Sequence, residues 1–429
     1  MMKTLLKIAL CLIMISFAVM AITSCDSTKE SKGLEFHLSD NDTYEVIGIG
    51  ECKDLDIIIP KKYKGKPVIM IDDSAFSGCD EITSVTIPDG VAFIGEFAFS
   101  NCEELTEINL PASILTIGNN AFQGCEDLAK VNIADLAAWC DITFYNIFSN
   151  PLYFAQKLSV KGESVTDLVI PNGVTSIANY AFAGCNRLTS VTIPDGVTKI
   201  GNSAFLLCSR LEHVTLGNDL TDVGIGAFAS CDDLAYTEYE NGNYLGNENN
   251  PYQVLISIPS TDISSFVIHP NTKAIGGGSF SYCSKLTAIT LPEGLVFVGR
   301  NAFSNCRALT QITIPDSVTT IGYNAFGDCY ELANVTFGKN LKTIDTGAFA
   351  FCGNLKTVTF PDGLESIGYQ AFCWTNLKSV TIPQSVTTIA KSAFGGSPTI
   401  YCQASRQPEG WDNEWAESGC TVIWNAKEN

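Results

Sequence analysis

Apolar and polar residues follow a phrase of 23 residues that recurs from one end of the chain to the other. One copy, residues 188–208, reads LTSVTIPDGVTKIGNSAFLLC. Its Val191-Thr192-Ile193 segment alternates as a half-buried strand does. Pro194 ends that strand because proline offers no N–H to a sheet ladder, and Asp195-Gly196 supplies turn residues. Each copy is therefore predicted to contain a short strand followed by a turn.

The second half of the copy returns to the core. Val197 and Ile200 are apolar, Gly201 suits a tight corner, and Ala204-Phe205 predicts a short turn that places a ring inside the coil. The phenylalanine of this Ala-Phe (once Ser-Phe) pair marks every copy, at Phe76, Phe99, Phe122, Phe182, Phe205, Phe228, Phe280, Phe303, Phe326, Phe349, Phe372 and Phe394. Eight of the eleven gaps between these residues are 23 residues long, and the gaps of 60 and 52 leave room for insertions.

A fixed period of this length predicts a repeat solenoid. One copy cannot bury its apolar face alone, so neighbouring copies must stack and pair their strands at about 4.8 Å. About fourteen coils at that spacing predict a rod of roughly 70 Å.

Cysteine repeats with the phenylalanines. Ten cysteines follow a marker phenylalanine by three residues, at Cys79, Cys102, Cys125, Cys185, Cys208, Cys231, Cys283, Cys306, Cys329 and Cys352. Because cysteine packs as a small hydrophobe and no pair has the spacing of a zinc site, we expect a core column of reduced thiols and no metal. Disulfides between neighbouring coils are the alternative. Cys402 and Cys420 lie outside this column, and a disulfide between them is left open.

The pattern LxxVxIPxxVxxIGxxAFxxC resembles the BspA-like class of leucine-rich repeats over nearly the whole chain beyond residue 24. The resemblance implies a right-handed coil of the leucine-rich-repeat type, with a parallel β-sheet on the concave face and short turns or 3-10 segments elsewhere. It also implies a cell-surface protein of a bacterium or a parasitic eukaryote. Some members are adhesins for host matrix proteins or other microbes, and no ligand is common to all.

The chain begins with the features of an exported lipoprotein. Lys3 and Lys7 precede the apolar run 8–22, and Ile22-Thr23-Ser24-Cys25 resembles a bacterial lipobox. We expect residues 1–24 to be a removed signal peptide, Cys25 to carry the lipid that anchors the protein to a membrane, and residues 25–33 to be a tether. Ordinary secretory cleavage and an uncleaved membrane helix are the alternatives.

The repeat region is expected to span residues 55–399, between a β-hairpin cap at 34–54 and a second cap at 400–429. Two insertions interrupt it. The one near 134–161 is rich in aromatic residues: Trp139, Phe144, Tyr145, Phe148, Tyr153 and Phe154. These rings either pack onto a coil that lost its standard phrase or form a platform for a glycan or peptide. The one near 236–262 is expected to be a polar, turn-rich insertion, since it lacks the ligand pattern of a calcium loop.

Charge and motifs narrow the function classes. The net charge of −20 argues against nucleic acid and anionic lipid as partners, because both are repelled. No nucleophile elbow, phosphate loop or metalloprotease motif occurs, and no cofactor is expected. The rival is a β-solenoid enzyme acting on polysaccharides through the acidic row after the strand proline, in which Glu293 and Asp316 occupy adjacent coils. Pro-Asp-Gly is ordinary turn chemistry, which is the favoured explanation of that row.

The outward side of the predicted sheet carries a polar strip. Its candidate binding residues are Ser190, Thr192, His213, Thr215, Gln311, Thr313, Asn334 and Thr336. Strand propensity accounts for part of the threonine content, yet such a strip also suits an extended partner. We expect a non-enzymatic scaffold that binds a protein or glycan through this strip, with a structural component of the envelope as the alternative.

Overall fold

The computed structural model describes residues 30–396 and 398–426. The predicted signal peptide (1–24) and Cys25 lie outside these residues. The described chain is a parallel-strand β-solenoid of about 17 turns with almost no helix, so the predicted fold class is confirmed.

Each regular turn contributes one strand to a sheet that we call the front ladder. Equivalent positions of successive copies lie side by side, as where Val191 pairs with Val214 in parallel register. Because the period is constant, every position of the phrase stacks on itself. The sheet comprises segments of six, three, two, two and three strands. Its strands are Asp56–Ile58, Ser84–Thr86, Glu107–Leu110, Lys130–Ile133, Leu158–Val160, Glu163–Ser164, Asp167–Val169, Ser190–Thr192, His213–Thr215, Ser265–Val267, Ala288–Thr290, Gln311–Thr313, Asn334–Thr336, Ser379–Ile382, Thr399–Cys402 and Thr421–Trp424.

A second sheet, the side ladder, follows the proline turn of each coil. It has segments of seven, three and nine strands, and most of its members are two residues long because a glycine corner ends them. Its strands are Glu35–Leu38, Tyr44–Gly48, Lys62–Tyr63, Lys66–Ile71, Phe93–Ile94, Thr116–Ile117, Thr143–Phe144, Ser176–Ile177, Lys199–Ile200, Asp222–Val223, Thr237–Tyr239, Gly242–Leu245, Val254–Ser257, Ala274–Ile275, Phe297–Val298, Thr320–Ile321, Thr343–Ile344, Ser366–Ile367 and Thr388–Ile389.

The glycine corner and the turn after it bring neighbouring coils into contact. A Cβ at Gly201 would lie 2.4 Å from the Asn179 backbone nitrogen of the preceding coil, so only glycine fits. In the turn column, formed by the Ala-Phe turns, the residues two before and two after each phenylalanine have positive φ, as at Ser203 (51°) and Leu207 (61°). This geometry lets the Phe205 amide donate to the Ala227 carbonyl of the next coil at 2.8 Å.

The marker phenylalanines form the centre of the core. All twelve are at most 3% exposed. Within each uninterrupted run, neighbouring rings lie nearly parallel with centroids 5.0–5.5 Å apart. At the C-terminal end, Trp415 meets Phe394 edge to face at 6.0 Å, and Trp411 and Trp424 pack against Trp415. Aromatic rings therefore cover the last phenylalanine.

The repeat cysteines are reduced, as predicted. All fifteen cysteines of the described residues are free. In seven coils the thiol donates to the carbonyl of the phenylalanine in the coil before, at 3.1–3.3 Å, as Cys329 does to Phe303. Burial raises the pKa of Cys329 to about 12, so this thiol is protonated at neutral pH.

Cys420 belongs to this column, contrary to the expectation from spacing. Its thiol donates to the Phe394 carbonyl at 3.8 Å, whereas Cys402 lies in a front strand beside Trp424. The last coil has Ala416 at the marker position, where it pairs with Phe394. The missing phenylalanine hid the repeat, and the two cysteines form no disulfide.

The first interruption is a modified coil. Two short α-helices, Leu136–Cys140 and Leu152–Ala155, and a 3-10 helix, Ile147–Ser149, are inserted between strands that keep their places in both ladders. Asp135 caps the first helix by accepting from the Ala138 amide at 2.9 Å. The first segment of each ladder therefore extends into the insertion, and a new segment of each begins after it.

The second interruption differs from the polar, turn-rich insertion expected. Thr237–Tyr239 and Gly242–Leu245 form an antiparallel hairpin, and Val254–Ser257 joins it to the side ladder. The connecting residues Glu240 (φ 48°) and Asn241 (φ 64°) both have positive φ, which two-residue hairpin turns with a right-handed twist require. The hairpin was not predicted because its strands are short and stand among many Asn and Glu residues.

The solenoid also has more turns than the expected fourteen or so. The expected number allowed for about two coils beyond the twelve that carry a marker phenylalanine, yet more coils without one stack as the others do. Thr399–Cys402 and Thr421–Trp424 pair in parallel and extend the front ladder to the end of the described residues. The segment expected only to cap the stack thus contributes turns of its own.

Candidate binding surface

The front strands present two residues outward and one inward. In Ser190–Thr192 the central Val191 is 1% exposed, whereas Thr192 is exposed and Ser190 half-buried. Inward and outward positions alternate because successive strand side chains point to opposite faces. The eight candidate residues therefore all lie on the outward face of the front ladder.

The register brings the candidates together as two groups. Ser190 lies beside His213 and Thr192 beside Thr215. In the second group Gln311 lies beside Asn334 and Thr313 beside Thr336. The structure does not unite the two groups, because the second interruption and the strands Ser265–Val267 and Ala288–Thr290 come between them in the chain. The surface thus consists of two four-residue patches.

Most of these side chains have free hydrogen-bonding groups. Ser190 donates to Asp167 at 2.6 Å, and the hydrogen bonds from Ser190, Thr189 and Thr166 lower the pKa of the Asp167 carboxyl. His213 lies 4.0 Å from Glu212, too far for a hydrogen bond. Within residues 30–396 and 398–426, none of the other candidates makes a side-chain hydrogen bond. Their donors and acceptors are available to a partner.

The N-terminal part of the same face is different. Asn132 donates to Asn109 at 3.0 Å, Lys130 pairs with Glu107 at 2.8 Å, and Gly162 donates to Asn132 at 2.7 Å. These side chains satisfy one another across the coils. The contrast distinguishes the two patches from the N-terminal part of the face.

Two apolar positions on the front ladder were missed by the sequence interpretation. Val169 and Val267 occupy the outward position that threonine holds elsewhere, and they are 62% and 58% exposed. Each lies in the strand that begins a new segment of the front ladder, beside Thr192 and Thr290 respectively. Valine at the threonine position was visible in the sequence, but which face it occupied depended on the register.

Acidic residues that follow the strand proline, on which the enzyme alternative depends, form hydrogen bonds with the equivalent turn of the next coil. Asp316 accepts from the backbone amide of Lys339 at 3.0 Å and pairs with its ammonium at 2.7 Å; both hydrogen bonds lower the pKa of Asp316. Asp195 accepts from the Asn218 amide at 2.7 Å in the same way. A carboxylate held ionised is poorly suited to act as a general acid near neutral pH.

Some aromatic residues of the first interruption pack into the core of the modified coil, and others lie at the surface. Trp139 and Phe144 are buried, and the Trp139 indole donates to the Ala181 carbonyl at 2.8 Å. Tyr145 is 53% exposed, and Phe148, Tyr153 and Phe154 are half-buried. The first pair anchors the insertion, while the remaining rings reach the surface.

Within residues 30–396 and 398–426, no group of three or more His, Cys, Asp or Glu residues is placed to hold a metal ion. Across the same residues, no helix has the length and apolar character needed to cross a membrane.

Comparison with known families gives a match over most of the chain. The family described as the BspA type leucine rich repeat region matches in six copies, over residues 55–160, 158–250 and 273–401. No curated protein matches the sequence.

Solved structures of repeat proteins are also similar. A leucine-rich repeat protein from Bacteroides ovatus is 25% identical, with 94% of this chain and 100% of that chain covered and a TM-score of 0.36. A leucine rich cell surface protein from Faecalibacterium prausnitzii is 25% identical, with coverages of 91% and 97% and a TM-score of 0.30. The family match and the strand register carry the fold assignment.

Proposed function

We propose a function from the premise that this chain belongs to the BspA-type leucine-rich repeat family: it is an exported, lipid-anchored, non-enzymatic scaffold that binds a macromolecule through the front ladder. Membership of this repeat family supports a scaffold with a binding role. The surface location, the anchor and the ligand-binding face are parts of this proposal.

The observation that carries the proposal is the row of unpaired polar side chains on the two patches. Thr192 and Thr215 lie in adjacent strands of one patch, and Gln311 and Asn334 in adjacent strands of the other. Parallel strands repeat at about 4.8 Å, so an extended partner running along the stack meets the same chemistry in successive coils. These four side chains give up little on binding because, among the described residues, they have no hydrogen-bond partner to exchange.

Export and anchoring rest on the first 25 residues. Lys3 and Lys7, the apolar run 8–22 and the lipobox-like segment ending at Cys25 support cleavage and lipidation. Two or three acyl chains on Cys25 provide a stable anchor. The solenoid is then displayed at the cell envelope, where a matrix protein, another cell's surface or a glycan can reach it.

The test is binding of the full chain to arrays of matrix proteins, bacterial surfaces and glycans. The variant carries Thr192→Glu, His213→Glu and Thr215→Glu, and its matched control carries Thr175→Glu, Thr319→Glu and Thr388→Glu. The three control positions are exposed, on or beside the side ladder.

We expect at least one class of ligand to bind the wild type and the control but not the front-ladder variant. Absence of binding to every array, or equal binding by both variants, contradicts the proposal. Binding only to the cell's own envelope proteins identifies a structural envelope component instead. Turnover of a glycan that is lost in Glu293→Gln or Asp316→Asn identifies the enzyme.

A further inference from the structure

A groove with a volume of about 500 Å³ lies between the first interruption and the turn column. Phe148, Tyr153 and Phe154 line one side, and Gln156 and Asn186 contribute amide groups. Pockets that bind small molecules usually measure roughly 300–1,000 Å³. The groove therefore has room for a small molecule or for the end of a longer chain.

The insertion is fixed to the solenoid where it forms the groove. Asn150, which is fully buried, donates its amide to the carbonyls of Tyr180 at 2.6 Å and Ala181 at 3.0 Å. The helix Leu152–Ala155 sits so close to Gly184 that a Cβ there would lie 2.6 Å from the Tyr153 Cα. Gly184 also has φ +81°. The groove is thus a preformed feature held by buried contacts.

The apolar side of the groove is a cluster of three rings. Tyr153 meets Phe148 edge to face at 5.5 Å and Phe154 edge to face at 5.1 Å. Phe148 and Phe154 are tilted by 33° with centroids 6.2 Å apart. All three rings are half-buried, so part of each remains accessible to a ligand with flat apolar faces.

The polar side carries hydrogen-bonding groups of both kinds. The Asn186 amide donates to Gln156 Oε1 at 2.7 Å. This bond leaves the Gln156 amino group as a donor and the Asn186 carbonyl as an acceptor, since neither has a further partner among the described residues. The carboxylates of Glu126 and Asp232 also line the groove, and they only accept hydrogen bonds when ionised.

We propose that this groove binds a neutral, hydroxyl-rich glycan. A sugar ring has apolar C–H faces, which match the aromatic rings, and hydroxyls that both donate and accept, which match the amide and carboxylate groups. Among the described residues, no lysine or arginine lines the groove, so an acidic or sulfated glycan would meet two uncompensated carboxylates.

The backbone of the groove argues for a glycan over a peptide. Peptides that add to a sheet need an edge with free N–H and C=O groups. Here the Gly184 amide donates to the Leu206 carbonyl at 2.7 Å, and the Leu207 amide donates to the Ala229 carbonyl at 2.9 Å. Neighbouring coils use these groups, so recognition must come from side chains.

This site is on the turn column, whereas the proposed function uses the front ladder, so each can fail without the other. The test is calorimetric titration of the full chain, purified in detergent, with neutral gluco-, manno- and N-acetylglucosamine oligosaccharides. A galacturonate oligomer and a lysine-rich peptide are the comparison ligands. The variants are Asn186→Ala and Asp232→Ala; their controls, Ser284→Ala and Asp80→Ala, also follow a column cysteine and are exposed.

We expect at least one neutral oligosaccharide to bind, and each groove variant to weaken that binding about tenfold or more through lost hydrogen bonds. The controls should bind as the wild type does, and thermal unfolding should show that all variants are folded. No binding of any neutral oligosaccharide up to ~10 mM, or groove-dependent binding of the galacturonate or the peptide instead, overturns the proposal. So does neutral binding that the groove variants leave unchanged.

Discussion

Truncating one ring in the middle of the phenylalanine column should destabilise the protein strongly. Phe326 is fully buried and lies between Phe303, at 5.1 Å, and Phe349, at 5.2 Å. Replacing a buried phenylalanine by alanine typically costs about 3–5 kcal/mol of stability. We expect Phe326→Ala to lower the free energy of unfolding by that amount.

The first ring of the column provides a matched comparison. Phe76 is equally buried but stacks on one marker ring, Phe99, at 5.2 Å. Each stacked pair adds about 0.5–1.5 kcal/mol beyond burial. Phe76→Ala should therefore be less destabilising than Phe326→Ala by about that amount.

The assay is urea unfolding followed by circular dichroism and by tryptophan fluorescence. Four of the five tryptophans lie after residue 370, so fluorescence reports mainly on the C-terminal coils. Long repeat arrays lose cooperativity when one repeat is weakened, and the two signals should separate in Phe326→Ala. A loss below about 1 kcal/mol, or a loss equal to that of Phe76→Ala, would refute the reasoning from stacked rings.

Three further predictions follow from the core, the corners and the N-terminal segment. Stability should fall as pH rises from about 8.5, the pKa of an unfolded thiol, towards 12, because burial raises the pKa of Cys125 and Cys329 to about 12. The unfolded chain then loses protons that the folded chain keeps, at up to about 1.4 kcal/mol per pH unit for each thiol. Urea midpoints between pH 7 and 10 measure this slope, which Cys329→Ala should reduce. Gly201→Ala should cost about 1–3 kcal/mol in thermal unfolding because its Cβ overlaps the preceding coil. In cells fed an alkyne-labelled fatty acid, the wild type should become labelled and Cys25→Ala should not.

Each of these predictions has a contrary outcome. The burial argument fails if Cys329→Ala and the wild type have the same alkaline slope. Gly353 has no positive φ, and no atom of a non-adjacent described residue lies within 4 Å of a Cβ added there. If Gly353→Ala is as destabilising as Gly201→Ala, close coil contact is not the cause. If the Cys25→Ala variant is still labelled by the fatty acid, Cys25 is not the residue that carries the lipid.

The repeated part of the molecule could be predicted from sequence because each position stacks on its own copy. Phe205 and Cys208 are buried for the same reason as their counterparts in other coils. Positions without a copy were harder to interpret. Cys420 joins the thiol column only because Ala416 pairs with Phe394, and no marker residue announces that pairing.

The groove depends on contacts that no period encodes. Asn150 reaches the carbonyls of Tyr180 and Ala181 across the insertion, and Gly184 admits the helix that carries Tyr153. The aromatic content of the insertion was evident, but which rings would be buried depended on these tertiary contacts. The front-ladder residues were predicted as one strip, whereas the interruption separates them into two patches.

The most direct test of the proposed surface scaffold is labelling of intact cells with an amine-reactive reagent that does not cross membranes. Lysines on the solenoid are accessible, as at Lys285 and Lys339, whose side chains are 69% and 73% exposed. The account predicts that the protein is labelled on intact cells to the same extent as after the envelope is broken, while a cytoplasmic protein is labelled only after breakage. Labelling of this protein only in broken cells would contradict display at the surface.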